Sequence, residues 1–462
     1  MSRQQFGDQL RSDSADAPDQ GRPFAAGPRT LLLWLAATLV AGCAGRGPKP
    51  MEIPLMPAPA VYEAGAIDPF DHCNRITEDP GVLFATDRAP AGPEDRRYDY
   101  FTHRRANMLH LGAARTRLRH EPALSGDEAR WATLRGSRSS DFSVVFEDLE
   151  TFGVLEKTIR FSDMETARSE APGQRFFEAI DHRLDASGTP HVYIYVHGYK
   201  IDIEESIVVA AELSHFLGHN GAVVAYSWPT KVSTFAYFGD LDNARYSARY
   251  LRTLILDIAR NTNVEKIHVI GYSAGTQLVS RMLADLGMYG FLMSDDEIDE
   301  GVKLGNVILT GSDVDSDILS GYVLDGALRV PDNLTIYVSE IDTALRAAGF
   351  LFAGRVRAGR FARTDPLNAR EEQFLAEHPN LQIIDVTRAE GSAVAKGHRY
   401  FRTSPWVSSD IAMQLLYDLP PEQRGLVKGD VVRFWQFPAD YVEQLPGIAD
   451  AIDAPDRRCQ RP

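Results

Sequence analysis

The sequence predicts an α/β fold with a mostly parallel central sheet, leading antiparallel strands and helices on both faces. Six apolar runs are separated by segments long enough for helices: 191–198, 221–229, 266–273, 306–315, 333–340 and 381–387. Such apolar runs are typical of parallel strands that helices cover on both faces. Upstream, shorter apolar runs alternate with turn-rich segments, at 81–90, 142–150 and 157–163. These shorter runs indicate the antiparallel strands.

The segments between the apolar runs carry helix signals. Asp202 and Glu205 have the spacing of a capping box, and Gly218 would end the helix that follows. Apolar residues recur at helical spacing in three segments: Ile207, Val208, Ala211 and Phe216; Ala244, Ala248, Leu251, Ile255 and Ile258; and Leu278, Met282 and Leu286, before Gly287. We therefore expect helices between the parallel strands.

Composition limits the classes of partner. The chain has 462 residues, 44% of them hydrophobic, which is enough for a substantial core. Its formal net charge of -15 repels phosphate backbones and anionic headgroups, so the sequence as a whole argues against nucleic-acid binding. It has neither a cysteine–histidine cluster with metal-ligand spacing nor a glycine-rich phosphate loop, so we expect no metal and no cofactor.

The N-terminal segment has the features of an export signal. The stretch "TLLLWLAATLVAGC" (30–43) has about a dozen apolar positions, fewer than the roughly 20 residues that span a bilayer. "LVAGC" resembles the lipobox of bacterial lipoproteins, which implies cleavage after residue 42 and attachment of lipid, including palmitate, to Cys43. The alternatives are an ordinary secretory signal and a buried apolar helix with a chance cysteine. Ala44, in place of aspartate, favours the periplasmic side of the outer membrane.

The remaining chain divides by composition. We expect a signal peptide, a tether, one large α/β domain and a tail, at 1–42, 43–78, 79–445 and 446–462. Frequent prolines with little apolar periodicity make the tether an extended, solvated spacer. An oxidising envelope would permit Cys73 and Cys459 to form a disulfide, and two free thiols are the alternative.

The stretch "IHVIGYSAGT" (267–276) places a serine between two glycines, where an apolar strand ends and an amphipathic helix begins. Gly271 and Gly275 leave room for a tight strand-to-helix turn, which is the G-x-S-x-G nucleophile elbow with Ser273 at its apex. A serine hydroxyl is a weak nucleophile unless a base takes its proton. The sequence must therefore supply a histidine at the same edge of the sheet.

Two histidines follow the elbow in the sequence. His398 comes after the strand predicted at 381–387, whereas His378 precedes that strand and so lies at the opposite edge. His398 is the predicted base. His191 and His268 lie inside strand runs, and we expect them to be satisfied core or strand-edge histidines.

The acid that orients the base has several candidates. Asp342 directly follows the strand predicted at 333–340 and is the preferred one. Asp313 and Asp315 follow the preceding strand, but we expect them to form turns or cap a helix. Glu340 lies nearer the strand interior and is the last choice.

An oxyanion would be bound by backbone N–H groups in this geometry. We expect one from Ala274, after the nucleophile, and one from Tyr199, in the loop after "YIYVHG". Gly198 would let that loop approach closely, and His197 is expected to orient or support it.

Together these motifs resemble the α/β-hydrolases, and within them a bacterial esterase-like family of unknown function. The matching stretches follow the family's order over most of residues 79–402: "VLFATDRAP", "YIYVHGYK", "AYSWPT", "GDLDNARYSARYL", "VIGYSAGTQL", "GSDVDSD", "IYVSEIDTAL" and "GHRYF". The resemblance implies an α/β-hydrolase fold and a Ser-Asp/Glu-His triad, which falls here on Ser273, Asp342 and His398. The segment from Pro405 to Pro462 lies outside these motifs, and we expect it to pack at the periphery.

Two functions compete at this point. The first is an envelope-tethered carboxylesterase that cleaves a small-molecule or lipid-like ester through an acyl-enzyme. A lipase or a thioesterase would use the same residues, and the lack of a long insertion favours esters over peptides. The second is a non-catalytic lipoprotein that uses the fold as a binding or scaffold module.

Overall fold

A sheet of twelve strands organises the part of the chain that the computed structural model describes. The described residues are 51–64, 67–70, 80–121, 124, 126–136, 138, 141–155, 172–231, 237–351, 355–360, 368–429 and 434–452. Five predicted features lie outside them: the signal peptide at 1–42, Cys43, Cys73, Cys459 and the strand at 157–163.

The sheet is parallel through its centre. Its strands are β1 Glu52–Pro54, β2 Val82–Pro90, β3 Phe101–Glu121, β4 Asp141–Val154, β5 His191–Val196, β6 Ala222–Ser227, β7 Lys266–Tyr272, β8 Leu304–Thr310, β9 Asn333–Val338, β10 Leu381–Asp385, β11 Val427–Lys428 and β12 Trp435–Gln436. They lie in the order β1-β4-β3-β2-β6-β5-β7-β8-β9-β10-β12-β11. The pairs β1–β4, β4–β3, β3–β2 and β12–β11 are antiparallel, and all the other pairs are parallel. The predicted fold class is therefore confirmed.

Thirteen α-helices occur in the described part of the chain. They are α1 Ala60–Glu63, α2 Gly126–Thr133, α3 Pro172–Ser187, α4 Ile203–Phe216, α5 Tyr237–Asn261, α6 Gly275–Tyr289, α7 Asp295–Val302, α8 Ser316–Leu324, α9 Thr343–Leu351, α10 Ala369–Glu377, α11 Tyr400–Thr403, α12 Pro405–Tyr417 and α13 Tyr441–Ile452. Within the same residues, no helix is both long and apolar enough to span a membrane.

Successive residues of a strand point to opposite faces of the sheet, so apolar strands place apolar side chains on both faces. Helices cover both of these faces. In β5, Val192 and Ile194 belong to a core that includes residues of α5 and α6. Tyr193 and Tyr195, which alternate with them, belong to a second core with residues of α4 and α12. Both faces are therefore removed from water, as the continuous apolar runs predict.

The six predicted parallel strands are present as β5 to β10, and the runs at 81–90 and 142–150 are β2 and β4. The run predicted at 306–315 stops being a strand at Thr310, because Gly311 turns the chain with φ +54°. β3 was not predicted although it has 21 residues. Polar residues, among them five arginines, lie along its length, and it pairs with β2 and β4 in antiparallel fashion.

The predicted start and end of the helix after Asp202 are confirmed. The Asp202 carboxylate accepts a hydrogen bond from the Glu205 N–H at 2.9 Å and caps α4, which ends ahead of Gly218 (φ +66°). α6 instead continues two residues past Gly287. A Cβ at Gly287 would lie 2.6 Å from the carbonyl carbon of Gly326, so this glycine permits close packing rather than a helix stop.

The segment predicted as a solvated tether is partly folded, which is a correction to the domain boundary at residue 79. β1 pairs with β4, and α1 buries Val61 and Tyr62. The Tyr62 hydroxyl donates to the carbonyl of Phe216 at 2.6 Å. The buried Glu212 carboxylate accepts from the Met56 N–H at 2.7 Å and also pairs with the Arg402 guanidinium. Prolines fit an edge strand and loops, so composition did not reveal this packing.

The C-terminal boundary was also predicted wrongly. α13 runs through the expected domain end at residue 445, so the tail does not begin there. The segment after residue 405 is not peripheral, because α12 buries Met413 and Leu415 against the sheet and β12 pairs with β10. α12 is buried continuously from Val407 to Leu415, so nearly all of its faces are inside the protein.

Candidate active site

Ser273 lies at the apex of a tight turn between β7 and α6. Its φ is +53°, a left-handed conformation that non-glycine residues adopt at a cost of about 1 to 3 kcal/mol. The Ser273 N–H donates to the carbonyl of Thr310 at 2.9 Å, and its carbonyl accepts from the Thr276 hydroxyl at 2.6 Å. These bonds hold the turn in the strained conformation.

The glycines around the turn lie where a Cβ would meet close neighbours. A Cβ at Gly275 would lie 2.3 Å from the carbonyl oxygen of His197, and one at Gly198 would lie 3.0 Å from the Cβ of Ser273. At Gly271 a Cβ would lie 3.1 Å from a methyl of Val279. The predicted elbow is therefore tightly packed against the loop that follows β5.

The three predicted side chains are hydrogen bonded in series. The Nε2 atom of His398 lies 2.9 Å from the Ser273 hydroxyl oxygen, and Nδ1 lies 2.6 Å from the Asp342 carboxylate. The carboxylate is fully buried, and its other oxygen accepts from the Leu345 N–H at 2.9 Å. Because a carboxylate accepts, Nδ1 carries the proton and Nε2 can accept one from the serine. The structure thus brings these residues together as expected, from the ends of β7, β9 and β10.

Several contacts fix the imidazole of His398. The preceding residue, Gly397, has φ +73°, and a Cβ there would lie 2.9 Å from the carbonyl oxygen of Ile341. The ring of Tyr272 lies 5.3 Å from the imidazole, and burial raises the pKa of that phenol, so it stays neutral beside the base. Tyr400, two residues on, accepts from the Gly311 N–H and donates to the carbonyl of Tyr337 at 3.1 Å.

Of the other candidate acids, Asp315 and Asp313 have structural partners elsewhere, and Glu340 points to solvent. Asp315 caps α8 by accepting from the Asp317 N–H, as expected. The Asp313 carboxylate lies 3.5 Å from the guanidinium of Arg357, and both side chains are buried. Glu340 is exposed. The carboxylate that accepts the hydrogen bond from His398 Nδ1 is therefore that of Asp342.

His378, His268 and His191 also lie where the sequence predicts. His378 ends α10, where its Nδ1 atom lies 2.9 Å from the carbonyl oxygen of Phe374. His268 accepts from the Asn306 N–H at 3.0 Å and lies 3.3 Å from His191. Burial lowers the pKa of His268 well below its ordinary value, so it is a neutral core histidine.

The two expected oxyanion donors flank the serine. Ala274 is the N-cap residue of α6, and N–H groups at a helix N-terminus have no intrahelical acceptor. Tyr199 lies in the loop after β5, next to Gly198, which packs against Ser273. Their role as donors remains a prediction. Within the described residues, no group of three His, Cys, Asp or Glu side chains could hold a metal ion.

Arg88 lies in the stretch "VLFATDRAP", but the sequence alone predicts no role for it. This arginine ends the buried part of β2, and its side chain is 1% exposed. It donates to the carbonyl of Ile201 at 2.7 Å, in the loop that carries Tyr199. A charged residue inside a strand otherwise buried on both faces is the signal that could have identified it.

The family assignment follows from this fold and this arrangement. The family model described as "Alpha/beta hydrolase of unknown function (DUF900)" matches residues 174–417, more than half of the chain. The chain therefore belongs to this α/β-hydrolase family, and the predicted resemblance is confirmed. No curated protein and no solved structure matches the chain. The matched range contains Ser273, Asp342 and His398, whereas β1 to β4 precede it.

The arrangement can generate a serine nucleophile. The imidazole is placed to accept the hydroxyl proton, and the buried carboxylate would stabilise the imidazolium that forms. Ser273 is only 6% exposed, so a reacting group must approach from the loop edge where the three strands end.

Replacing Gly275 with alanine tests the geometry of the turn. The new Cβ would collide with the carbonyl oxygen of His197, and overpacking of this kind costs about 1 to 3 kcal/mol in the free energy of unfolding. We expect the rate at which a fluorophosphonate labels the protein to fall at least about 10²-fold, since an ångström of misplacement has that effect. Denaturant unfolding and labelling kinetics measure the two changes.

Gly301→Ala is the matched control, because Gly301 lies in α7 and a Cβ at this position would meet no atom within 4 Å. It should leave labelling unchanged and gain about 0.5 to 1 kcal/mol from helix propensity. Wild-type stability and labelling in Gly275→Ala would contradict the packing described for the elbow.

Proposed function

We propose that the protein is a serine hydrolase, and specifically a carboxylesterase that acts through an acyl-enzyme. Ser273 attacks the ester carbonyl while His398 Nε2 takes the hydroxyl proton, and Asp342 stabilises the resulting imidazolium. The tetrahedral oxyanion is bound by the N–H groups of Ala274 and Tyr199. His398 then protonates the departing alcohol as the ester C–O bond breaks. Water, deprotonated by the same imidazole, attacks the acyl-serine and releases the acid.

The observation that carries this proposal is the continuous hydrogen-bond series at the carboxyl ends of β7, β9 and β10. Its two distances, 2.9 Å and 2.6 Å, are within the range of a nucleophile–base and a base–acid contact. The strained φ of Ser273 adds support, because strain of this kind is concentrated at functional sites.

Apolar side chains on the segments that carry the acid and the base favour an ester with a hydrocarbon part. Ile341, beside Asp342, is 37% exposed, and Val394, in the 3-10 helix ahead of His398, is 54% exposed. Exposed apolar side chains near a polar site are suited to contact an acyl or alkyl group. A lipase or a thioesterase would use the same residues, so chain length and leaving group distinguish these activities.

Turnover of p-nitrophenyl esters of graded chain length tests the proposal. The wild type should release p-nitrophenol, and Ser273→Ala and His398→Ala should each lower kcat by more than about 10³-fold. His378→Ala is the matched control, since it removes a histidine that lies at the end of α10 and outside the site. Its rate should equal that of the wild type.

If the folded wild type hydrolyses no ester above the His398→Ala background, the result favours the alternative of a non-catalytic binding or scaffold module. If Ser273→Ala retains the wild-type rate, Ser273 is not the nucleophile.

We further propose that the protein is anchored in the bacterial envelope by lipid on Cys43, on the periplasmic side of the outer membrane. The lipobox-like "LVAGC" and Ala44 support this. Full-length protein expressed in a bacterium should incorporate labelled palmitate and fractionate with outer membranes, and Cys43→Ser should do neither. Palmitate incorporation that survives in Cys43→Ser would rule out this anchor.

A further inference from the structure

Arg88 is a buried cation next to the loop that carries the second proposed oxyanion donor. It reaches this loop from β2, which is separated from β5 by β6 in the sheet. Its guanidinium has four neighbours: Ser227 Oγ at 3.0 Å, the Ile201 carbonyl oxygen at 2.7 Å, Thr230 Oγ1 at 3.4 Å and His197 Nε2 at 3.3 Å. Arg88 therefore contacts His197 and Ile201, the two ends of the segment 197–201, and residues 198–200 lie between these two contacts.

The contact with Arg88 determines which nitrogen of His197 carries the proton. A guanidinium only donates hydrogen bonds, so the Nε2 atom of His197 must accept. The proton is then on Nδ1, which lies 2.6 Å from the carbonyl oxygen of Gly198 and donates to it. The imidazole is held in place by stacking on Trp228 at 5.5 Å, and the indole N–H donates to the carbonyl of His197 at 2.7 Å.

The charge states agree with these roles. Burial lowers the pKa of Arg88 to about 10, so the guanidinium remains charged at neutral pH. Burial, together with the positive charge of Arg88, holds the pKa of His197 well below its ordinary value, so the imidazole remains neutral. The pair is thus one cation and one neutral ring with a fixed tautomer.

The bond from His197 to Gly198 fixes a particular peptide group. In a trans peptide the C=O and the N–H that share the plane point in opposite directions. The carbonyl of Gly198 points to His197, so the N–H of the same peptide, which belongs to Tyr199, points away from His197. That N–H is the proposed second oxyanion donor.

We infer that Arg88 is a positioning residue which, through His197, sets the direction of the Tyr199 N–H in the oxyanion hole. The inference rests on the proposed function, because it assigns Tyr199 a role only in a reaction that develops an oxyanion. Arg88 does not touch the reacting atoms, and its effect is on the orientation of a donor. A donor turned away from the oxyanion loses transition-state binding while ground-state binding of the ester is kept.

The test compares Arg88→Met with Arg424→Met. Arg424 is a second fully buried arginine, and it binds Asp410, Gln382 and the carbonyl of Leu419, away from the segment 197–201. In Arg88→Met we expect kcat for a p-nitrophenyl ester to fall by about 10- to 10²-fold, with KM changed by less than about twofold. Affinity for a trifluoromethyl ketone, whose serine adduct carries an oxyanion, should fall by the same factor as kcat/KM.

Arg424→Met should lower thermal stability but leave kcat and ketone affinity per folded molecule at wild-type values. A merely structural role for Arg88 predicts that the two methionine variants behave alike. Wild-type kcat and ketone affinity in folded Arg88→Met would overturn the inference.

A second variant keeps the test decisive if Arg88→Met does not fold. His197→Phe keeps a ring against Trp228 but removes the N–H that holds the Gly198 carbonyl. It should show the same loss in kcat and in ketone affinity, and wild-type values in it would equally overturn the inference. Where both single variants fold, the double variant should lose no more than the larger single loss, because both act through one peptide group. If the fold-losses of the two single variants multiply in the double variant, the two residues act independently.

Ser273→Ala is assayed in parallel, so that failure of this inference can be distinguished from failure of the proposed function. Ester turnover that depends on Ser273 but not on Arg88 or His197 refutes this inference and leaves the proposed function intact. Turnover that does not depend on Ser273, or a folded wild type without turnover, refutes the proposed function and this inference with it.

Discussion

The left-handed backbone at Ser273 is the constraint around which the site is built. A non-glycine residue at φ +53° is unfavourable, so contacts with the surrounding structure must hold the turn in this conformation. The hydrogen bond from the Ser273 N–H to Thr310 attaches the turn to β8, and the absence of a side chain at Gly275 lets the turn pack on the end of β5. This strained conformation lowers stability, but it directs the Ser273 hydroxyl out of the sheet toward the imidazole of His398.

The parallel sheet explains how residues far apart in sequence meet. Ser273, Asp342 and His398 each follow a different strand, and the carboxyl ends of parallel strands lie at one edge. Glycines at positive φ leave room at this edge: a Cβ at Gly311 would lie 3.1 Å from the imidazole of His398, and one at Gly397 would lie 2.9 Å from the carbonyl oxygen of Ile341, beside the acid. The loop after β5 completes the edge, and the buried Arg88 cross-links it to β2. The site is thus supported from strands on both sides of β7.

The sequence predicted the features that depend on local pattern. Apolar runs located β5 to β10, and glycine and serine spacing located the elbow. The position of each candidate relative to the predicted strands distinguished Asp342 and His398 from the other acids and histidines. What the sequence missed depends on long-range contact. β3 is held by pairing with β2 and β4 rather than by an apolar run of its own, and the packing of residues 51–63 depends on partners such as Glu212 and Arg402. Arg88 was missed for the same reason, since its partners lie more than 100 positions along the chain.

We propose that Ser273 forms a covalent acyl intermediate. Rapid quenching of the protein with an activated ester, followed by peptide mass spectrometry, detects such an intermediate. We expect the mass of the acyl group to appear on the peptide that contains Ser273 and to disappear from it as the free acid is released. An acyl group on a different residue, or steady ester hydrolysis with no acyl-peptide at any time under conditions that stall deacylation, would show that Ser273 does not form this intermediate.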